Sequence, residues 1–79
     1  MVRETQLRPG TRVRIVGKPV GIRLRSSRGT VVGPDDRLEG YYIVRLDAPA
    51  VSSEPSDEGA DVPEIVEYWD NLDLLPQDR

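Results

Sequence analysis

Two β-rich runs that flank a turn-forming connection constrain the fold of this chain most. The first run covers residues 28–33 and the second covers residues 41–47. The connection between them contains residues that favour turns, namely Pro34, Asp35, Asp36 and Gly40. Runs of β-branched and aromatic residues on both sides of such a connection are typical of a β-hairpin with a medium-length loop. We therefore expect the rest of the chain to complete a small sheet around this hairpin.

The apolar residues of the chain suffice for a thin core. Of its 79 residues 37% are hydrophobic, with no phenylalanine, one tryptophan and three tyrosines. A chain of this length forms one domain close to the lower size limit for unaided folding. We therefore expect a single domain over residues 1–79, built as a small closed or nearly closed sheet around valine, isoleucine and leucine. No apolar run of signal or membrane-spanning length is present, which predicts a cytoplasmic protein without a membrane partner.

Five short strands are predicted from hydrophobic alternation. They cover residues 11–16, 29–32, 41–46, 64–69 and 72–75. Since successive side chains of a strand point to opposite faces, Val13 and Ile15 are expected inside the first strand. In the third strand the more apolar set is Tyr42, Val44 and Leu46, which we place inward. A tight turn at residues 70–71 precedes the last strand.

Glycine and polar residues mark a bend and two long loops. Gly29 stands inside a strand pattern, which indicates a tight bend or a close backbone approach. The loop at 17–27 alternates Val20, Ile22 and Leu24 with polar residues, so these apolar side chains are expected to tuck against the sheet. Serine, proline and acidic residues dominate 48–62, which predicts an acidic flexible loop.

The order of these elements resembles the SH3-like barrel. It runs turn, strand, long loop, glycine-led strand, hairpin, strand, tight turn and short strand. The segments that carry the resemblance are PGTRVRIV at 9–16, RGTVV at 28–32, YIVRL at 42–46 and DNLDLL at 70–75. The GTVV segment at 29–32, which follows a strand of Val-x-Ile type, is similar to KOW-type nucleic-acid-binding barrels, to the small stromal accessory subunit of photosystem I, and to small bacterial proteins of this length. The resemblance implies an all-β, five-stranded barrel that docks a protein or binds nucleic acid.

Charge is distributed unevenly along the chain, although its net charge is −3. Residues 1–46 carry ten basic and four acidic side chains, whereas residues 47–79 carry one basic and ten acidic side chains. Two interpretations remain open. The two regions can face different partners, or they interleave in the sheet and neutralise each other through cross-strand pairs.

Enzymatic function is not expected. Histidine and cysteine are absent, so the usual general base, thiol chemistry and the imidazole or thiolate metal ligands are missing. The acidic run around Gly59 does not match a known cation-binding spacing, and Pro55 interrupts it. We expect neither a cofactor nor a metal ion.

Protein docking is the predicted function, either to an unidentified protein or to a second copy of the chain. Its contact surface is predicted on the outer face of the third and fourth strands, with Arg45 and Glu67 at the rim. The predicted surface consists of Tyr41, Ile43, Arg45, Ile65 and Trp69. Aromatic residues and arginine contribute much of the binding energy at interfaces. The alternative is that the acidic loop or the N-terminal segment covers these residues and completes a second small core.

A KOW-like barrel that binds nucleic acid is the alternative function. Arginine presents a planar fork of donors that matches phosphate geometry. The arginines that would contact nucleic acid are Arg12, Arg14, Arg23, Arg25 and Arg28. The acidic loop and the acidic net charge oppose a phosphate backbone, so protein docking is preferred.

Overall fold

The computed structural model describes residues 7–76, which contain strands and two single 3-10 turns. The strands are β1 (Arg12–Ile15), β2 (Ile22–Arg23), β3 (Arg28–Pro34), β4 (Tyr41–Ser52), β5 (Asp61–Tyr68) and β6 (Leu72–Leu74). The 3-10 turns are Pro55–Asp57 and Trp69–Asn71, and the second of these is the tight turn expected before the last strand. The predicted all-β class is confirmed. The ends of the predicted domain, residues 1–6 and 77–79, lie outside the described residues.

The strands form one antiparallel sheet that is open. Its order is β2-β4-β3-β1-β6, and β5 pairs with β4 beside this path. In the described residues β5 and β6 each pair with a single strand, so the expected closure of five strands into a cylinder is not found. The strand at this end is short: β6 has three residues, and Pro76, two positions after its last residue, has no amide hydrogen with which to extend a ladder.

The core lies on the inner face of β1, β3 and β4. Val13, Val31 and Val44 are fully buried. The buried hydrophobic residues around them are Leu7, Ile15, Tyr42, Leu46, Ala50, Ile65 and Leu72. The inward faces predicted for β1 and β4 are therefore confirmed. The hydroxyl of Tyr42 accepts a hydrogen bond from the amide of Leu7 at 3.3 Å, which ties the start of the described chain to this core.

Close approach of β3 to β4 requires glycine at position 29. A Cβ atom placed on Gly29 would lie 2.6 Å from the carbonyl oxygen of Arg45 and 2.7 Å from a methyl carbon of Val44. The predicted close backbone approach is thus confirmed.

The pairing of β4 with β5 is irregular, because its register shifts between Arg45 and Ala50. Pro63 stands within this irregular stretch and cannot donate to the ladder.

Two predictions about the loops are wrong in part. Much of the loop expected over 48–62 is strand, because β4 continues to Ser52 and β5 begins at Asp61. Small inward side chains explain the difference: Ala50 and Ser52 are buried on alternate positions, although the composition of the stretch is that of a loop. In the loop at 17–27, Ile22 and Leu24 pack against the core as expected. Val20 is instead 96% exposed.

Candidate functional site

Three of the residues predicted to bind a protein lie on the outer face of β4. Tyr41, Ile43 and Arg45 alternate there with the buried Tyr42 and Val44. Each faces a residue of β5 across the antiparallel ladder. The facing pairs are Tyr41 with Tyr68, Ile43 with Val66, and Arg45 with Glu64. Residues directly opposite in an antiparallel pair project on the same face, so these six side chains share one surface.

The predicted outward position of Ile65 is wrong. Ile65 is 9% exposed and belongs to the core, where it faces the fully buried Val44. The sequence pattern predicts Ile65 and Trp69 on the same face, because the two-residue alternation of the predicted strand continues to residue 69. The strand ends at Tyr68, however, and Trp69 begins a 3-10 turn. Beyond that point the alternation no longer relates the two residues.

Trp69 lies partly buried at the end of β5 and packs against the core. Its ring centroid is 5.6 Å from that of Tyr68, which is in turn 5.2 Å from that of Tyr41. These are distances at which tilted aromatic pairs attract each other. Trp69 therefore supports Tyr68 from one side and is not the centre of an exposed surface.

The side chains that occupy the expected site are Tyr41, Ile43, Val66 and Tyr68, which we call the outer apolar surface. Val66 is 42% and Tyr68 is 38% exposed, whereas Tyr41 and Ile43 are half-buried. Sequence reasoning missed Val66 and Tyr68. The register that sets Arg45 opposite Glu64 places both of them on the outer face, and the reverse facing of the strand was predicted from the sequence.

One end of the outer apolar surface is bounded by an ion pair. The Nη2 atom of Arg45 lies 3.1 Å from Oε2 of Glu64, and its Nε atom lies 3.3 Å from the same oxygen. The acidic turn that was the alternative cover for this surface lies elsewhere. It follows Ser52 at the end of β4 opposite to Tyr41. The other proposed cover is the N-terminal segment, and its residues 1–6 lie outside the described part of the chain.

Two of the five arginines predicted to bind nucleic acid are held by carboxylates. Arg12 donates to both carboxylate oxygens of Asp47, each at 2.7 Å, and to the hydroxyl of Thr30 at 2.9 Å. This hydrogen bond from Arg12 is the largest cause of the lowered pKa of Asp47; partial burial opposes it, and the positive charges of Arg12 and Arg28 add to it. Arg14 contacts Asp73 at 3.2 Å. Cross-strand pairing thus neutralises part of the charge asymmetry.

Three of these arginines form no ion pair within the described range. Arg23 and Arg25 are exposed within the segment 17–27, and Arg28 begins β3. None of the three has an ion pair with a residue of the range 7–76. Arg23 lines an open cleft of about 370 Å³ together with Lys18 and four loop residues: Gly17, Pro19, Ile22 and Leu24.

The acidic turn between β4 and β5 is organised by a buried serine. The Ser52 hydroxyl donates to Oδ1 of Asp57 at 2.8 Å and accepts the amide of Glu54 at 3.2 Å. These bonds arrange Asp57 within the turn, and across residues 7–76 no group of three or more histidine, cysteine or acidic residues is placed to hold a metal ion. Sequence reasoning treated Ser52 as a loop residue, and its burial carries no signal in the composition of the stretch.

No protein-family model, curated protein or solved structure matches the chain. The helical segments in the part of the chain that the structure describes are single turns, and none is long and apolar enough to cross a membrane.

Proposed function

We propose that the chain is a non-enzymatic protein-interaction or accessory module of the SH3-like type, located in the cytoplasm. It docks through the outer apolar surface. The order of elements supports the fold proposal: β1, a long loop, the glycine-led β3, a hairpin to β4, then β5, a 3-10 turn and the short β6. This is the order on which the resemblance rests, with β2 as an additional strand inside the long loop.

The observation that carries the docking proposal is the contiguity of four exposed or half-buried apolar side chains on adjacent strands. Tyr41 and Tyr68 face each other, and Ile43 and Val66 form the next pair along the same face. Exposed apolar surface that is contiguous and rimmed by polar groups marks interaction sites. Tyrosine adds large contact area with few rotatable bonds, which limits the entropy cost of binding.

A photo-crosslinking residue at position 66 tests the proposal. Val66 is exposed at the middle of the outer apolar surface, whereas Leu74 is 60% exposed on β6 and serves as the control position. In cells of the source organism we expect the probe at 66 to join the chain to a protein in a discrete product. The probe at 74 is expected to give no such product. Equal yields from both positions would contradict docking through this surface.

Nucleic-acid binding is a second candidate because the basic side chains of the loop at 17–27 and of the first residue of β3 form no ion pair within the described residues. Lys18, Arg23, Arg25 and Arg28 form no ion pair with a described residue. Titration with single- and double-stranded oligonucleotides at rising salt concentration tests this function. Binding that weakens linearly in log–log form, by about 0.9 units per phosphate contact on duplex DNA, would support it. Absence of binding at low salt would exclude it.

A further inference from the structure

The outer edge of β5 presents unpaired backbone groups at three alternate residues. The Trp69 amide donates to the carbonyl of Gly40 at 2.9 Å, just beyond the facing pair of Tyr41 and Tyr68. Antiparallel ladders alternate bonded and non-bonded pairs. It follows that Glu67 and Ile65 bond to β4. The amides and carbonyls of Glu64, Val66 and Tyr68 point away from it.

No other strand of the described residues pairs with this edge. β5 pairs with β4 alone, and no loop hydrogen bond within residues 7–76 ends on Glu64, Val66 or Tyr68 from the open side. An uncovered edge is a template for a further strand. The three outward-pointing residues also contribute their side chains to the outer face, so a strand added here would extend the outer apolar surface.

We propose that the occupant of this edge is β5 of a second copy, which pairs antiparallel about a two-fold axis at Val66. This inference rests on the proposed function and names the partner of the same surface. In this register Val66 faces its own counterpart, and Glu64 faces Tyr68 of the other copy. Each facing pair exchanges two N–H···O bonds. The regular ladder of both copies is used over its whole length, from Glu64 to Tyr68.

Charge favours this register over its neighbours. An axis at Glu64 would set two carboxylates directly opposite each other, which destabilises a strand pair. An axis at Ile65 would bring Glu67 against Pro63, within the irregular end of β5. With the axis at Val66, Glu64 keeps its ion pair with Arg45 at 3.1 Å.

The same axis also makes the apolar surface continuous. Glu67 accepts a hydrogen bond from the side chain of Asn71 at 3.1 Å on the other face, where this register sets it opposite Ile65 of the second copy. Val66 of one copy then adjoins Val66 of the other on a single face, and each Tyr68 lies diagonally across from the Val66 of the other copy. A C2 dimer of this kind uses one patch twice, which is the commonest symmetry of soluble oligomers.

Analytical ultracentrifugation of the purified full chain over a wide concentration range tests the proposal. The monomer has a mass of 8.8 kDa, and we expect a concentration-dependent shift toward twice that mass. Val66→Pro removes an edge amide that β4 does not use, which an edge strand tolerates. We expect this variant to remain folded and monomeric, and the near-isosteric Val66→Thr to dimerise as the parent does.

Amide hydrogen exchange gives a second readout that survives a folding defect in the proline variant. In the unmodified chain, exchange at Glu64, Val66 and Tyr68 is expected to slow about tenfold or more as the concentration rises through the dimerisation range. Exchange at Ile65 and Glu67 is expected to be slow at both the lowest and the highest protein concentration, because these amides bond to β4. Val66→Lys places two like charges at the axis and is expected to abolish the concentration dependence.

Distinct results overturn the two proposals. A chain that stays monomeric at about millimolar concentration, or a folded Val66→Pro variant that still dimerises, overturns the pairing about Val66. If the chain is monomeric but the probe at position 66 captures another protein in cells, docking stands and the second copy is excluded. If neither association nor capture occurs, both proposals fail. A crosslinked product of two copies supports both.

Discussion

The facing of β5 is tested most directly by two neighbouring alanine substitutions. Ile65→Ala removes three carbon atoms from a side chain that is 9% exposed and faces the fully buried Val44. At about 0.8 kcal/mol per buried carbon, plus a cavity contribution, the free energy of unfolding should fall by about 2–4 kcal/mol. Val66→Ala removes two carbon atoms from a side chain that is 42% exposed. We expect a loss of about 1 kcal/mol or less.

Urea titration followed by the fluorescence of the single tryptophan, Trp69, measures both changes. The protein concentration must be low enough for the monomer to dominate, because association with a second copy would stabilise the fold. Equal m-values are required for the comparison of unfolding free energies. A loss for Val66→Ala equal to or greater than that for Ile65→Ala would show that β5 faces the other way. It would also remove Val66 from the outer apolar surface.

Three further substitutions test local features of the fold by the same titration. Gly29→Ala inserts a methyl group against the backbone of β4 and should cost about 1–3 kcal/mol. Ser52→Ala removes a hydrogen bond to the carboxylate of Asp57 and should cost about 1–2 kcal/mol, with a loosened turn seen as faster amide exchange at 53–60. Asp47→Asn breaks the half-exposed, solvent-screened ion pair with Arg12 and should cost at most about 1 kcal/mol at neutral pH. Because folding lowers the pKa of Asp47 from its ordinary value of 3.8, its contribution to stability is fully present above that value. The difference between Asp47→Asn and the parent should vanish as the pH falls through the folded pKa.

The inward face of a strand could be predicted only where its two alternating sets of residues differ clearly in polarity. In β4 the alternation is unambiguous, since Tyr42, Val44 and Leu46 are all apolar and Arg45 interrupts the other set. In β5 the apolar residues come in adjacent pairs, and either face offers an acceptable core. Periodicity alone cannot choose between such faces. The choice is made by register, which places Ile65 opposite Val44.

Only the part of the candidate site that lies on β4 could be predicted from the sequence. Tyr41 and Ile43 lie on the expected face, because their alternation with buried residues is local to one strand. Their partners Val66 and Tyr68 depend on a long-range register that begins at Gly40, whose carbonyl accepts the Trp69 amide. Because the sequence does not reveal that hydrogen bond, it does not determine which residues of β5 face the site.

The distribution of charge follows from the way the strands are arranged in the sheet and bears on the kind of partner. The ion pairs Arg12–Asp47, Arg14–Asp73 and Arg45–Glu64 each join a basic residue of the range 1–46 to an acidic residue of the range 47–79. These charges are neutralised by ion pairs within the sheet. The outer apolar surface is therefore bounded at one end by a neutralised ion pair. Rim charges chiefly set association rate and its dependence on salt. Association through this surface is accordingly expected to change little with ionic strength, whereas binding of a phosphate backbone by the unpaired arginines would fall steeply.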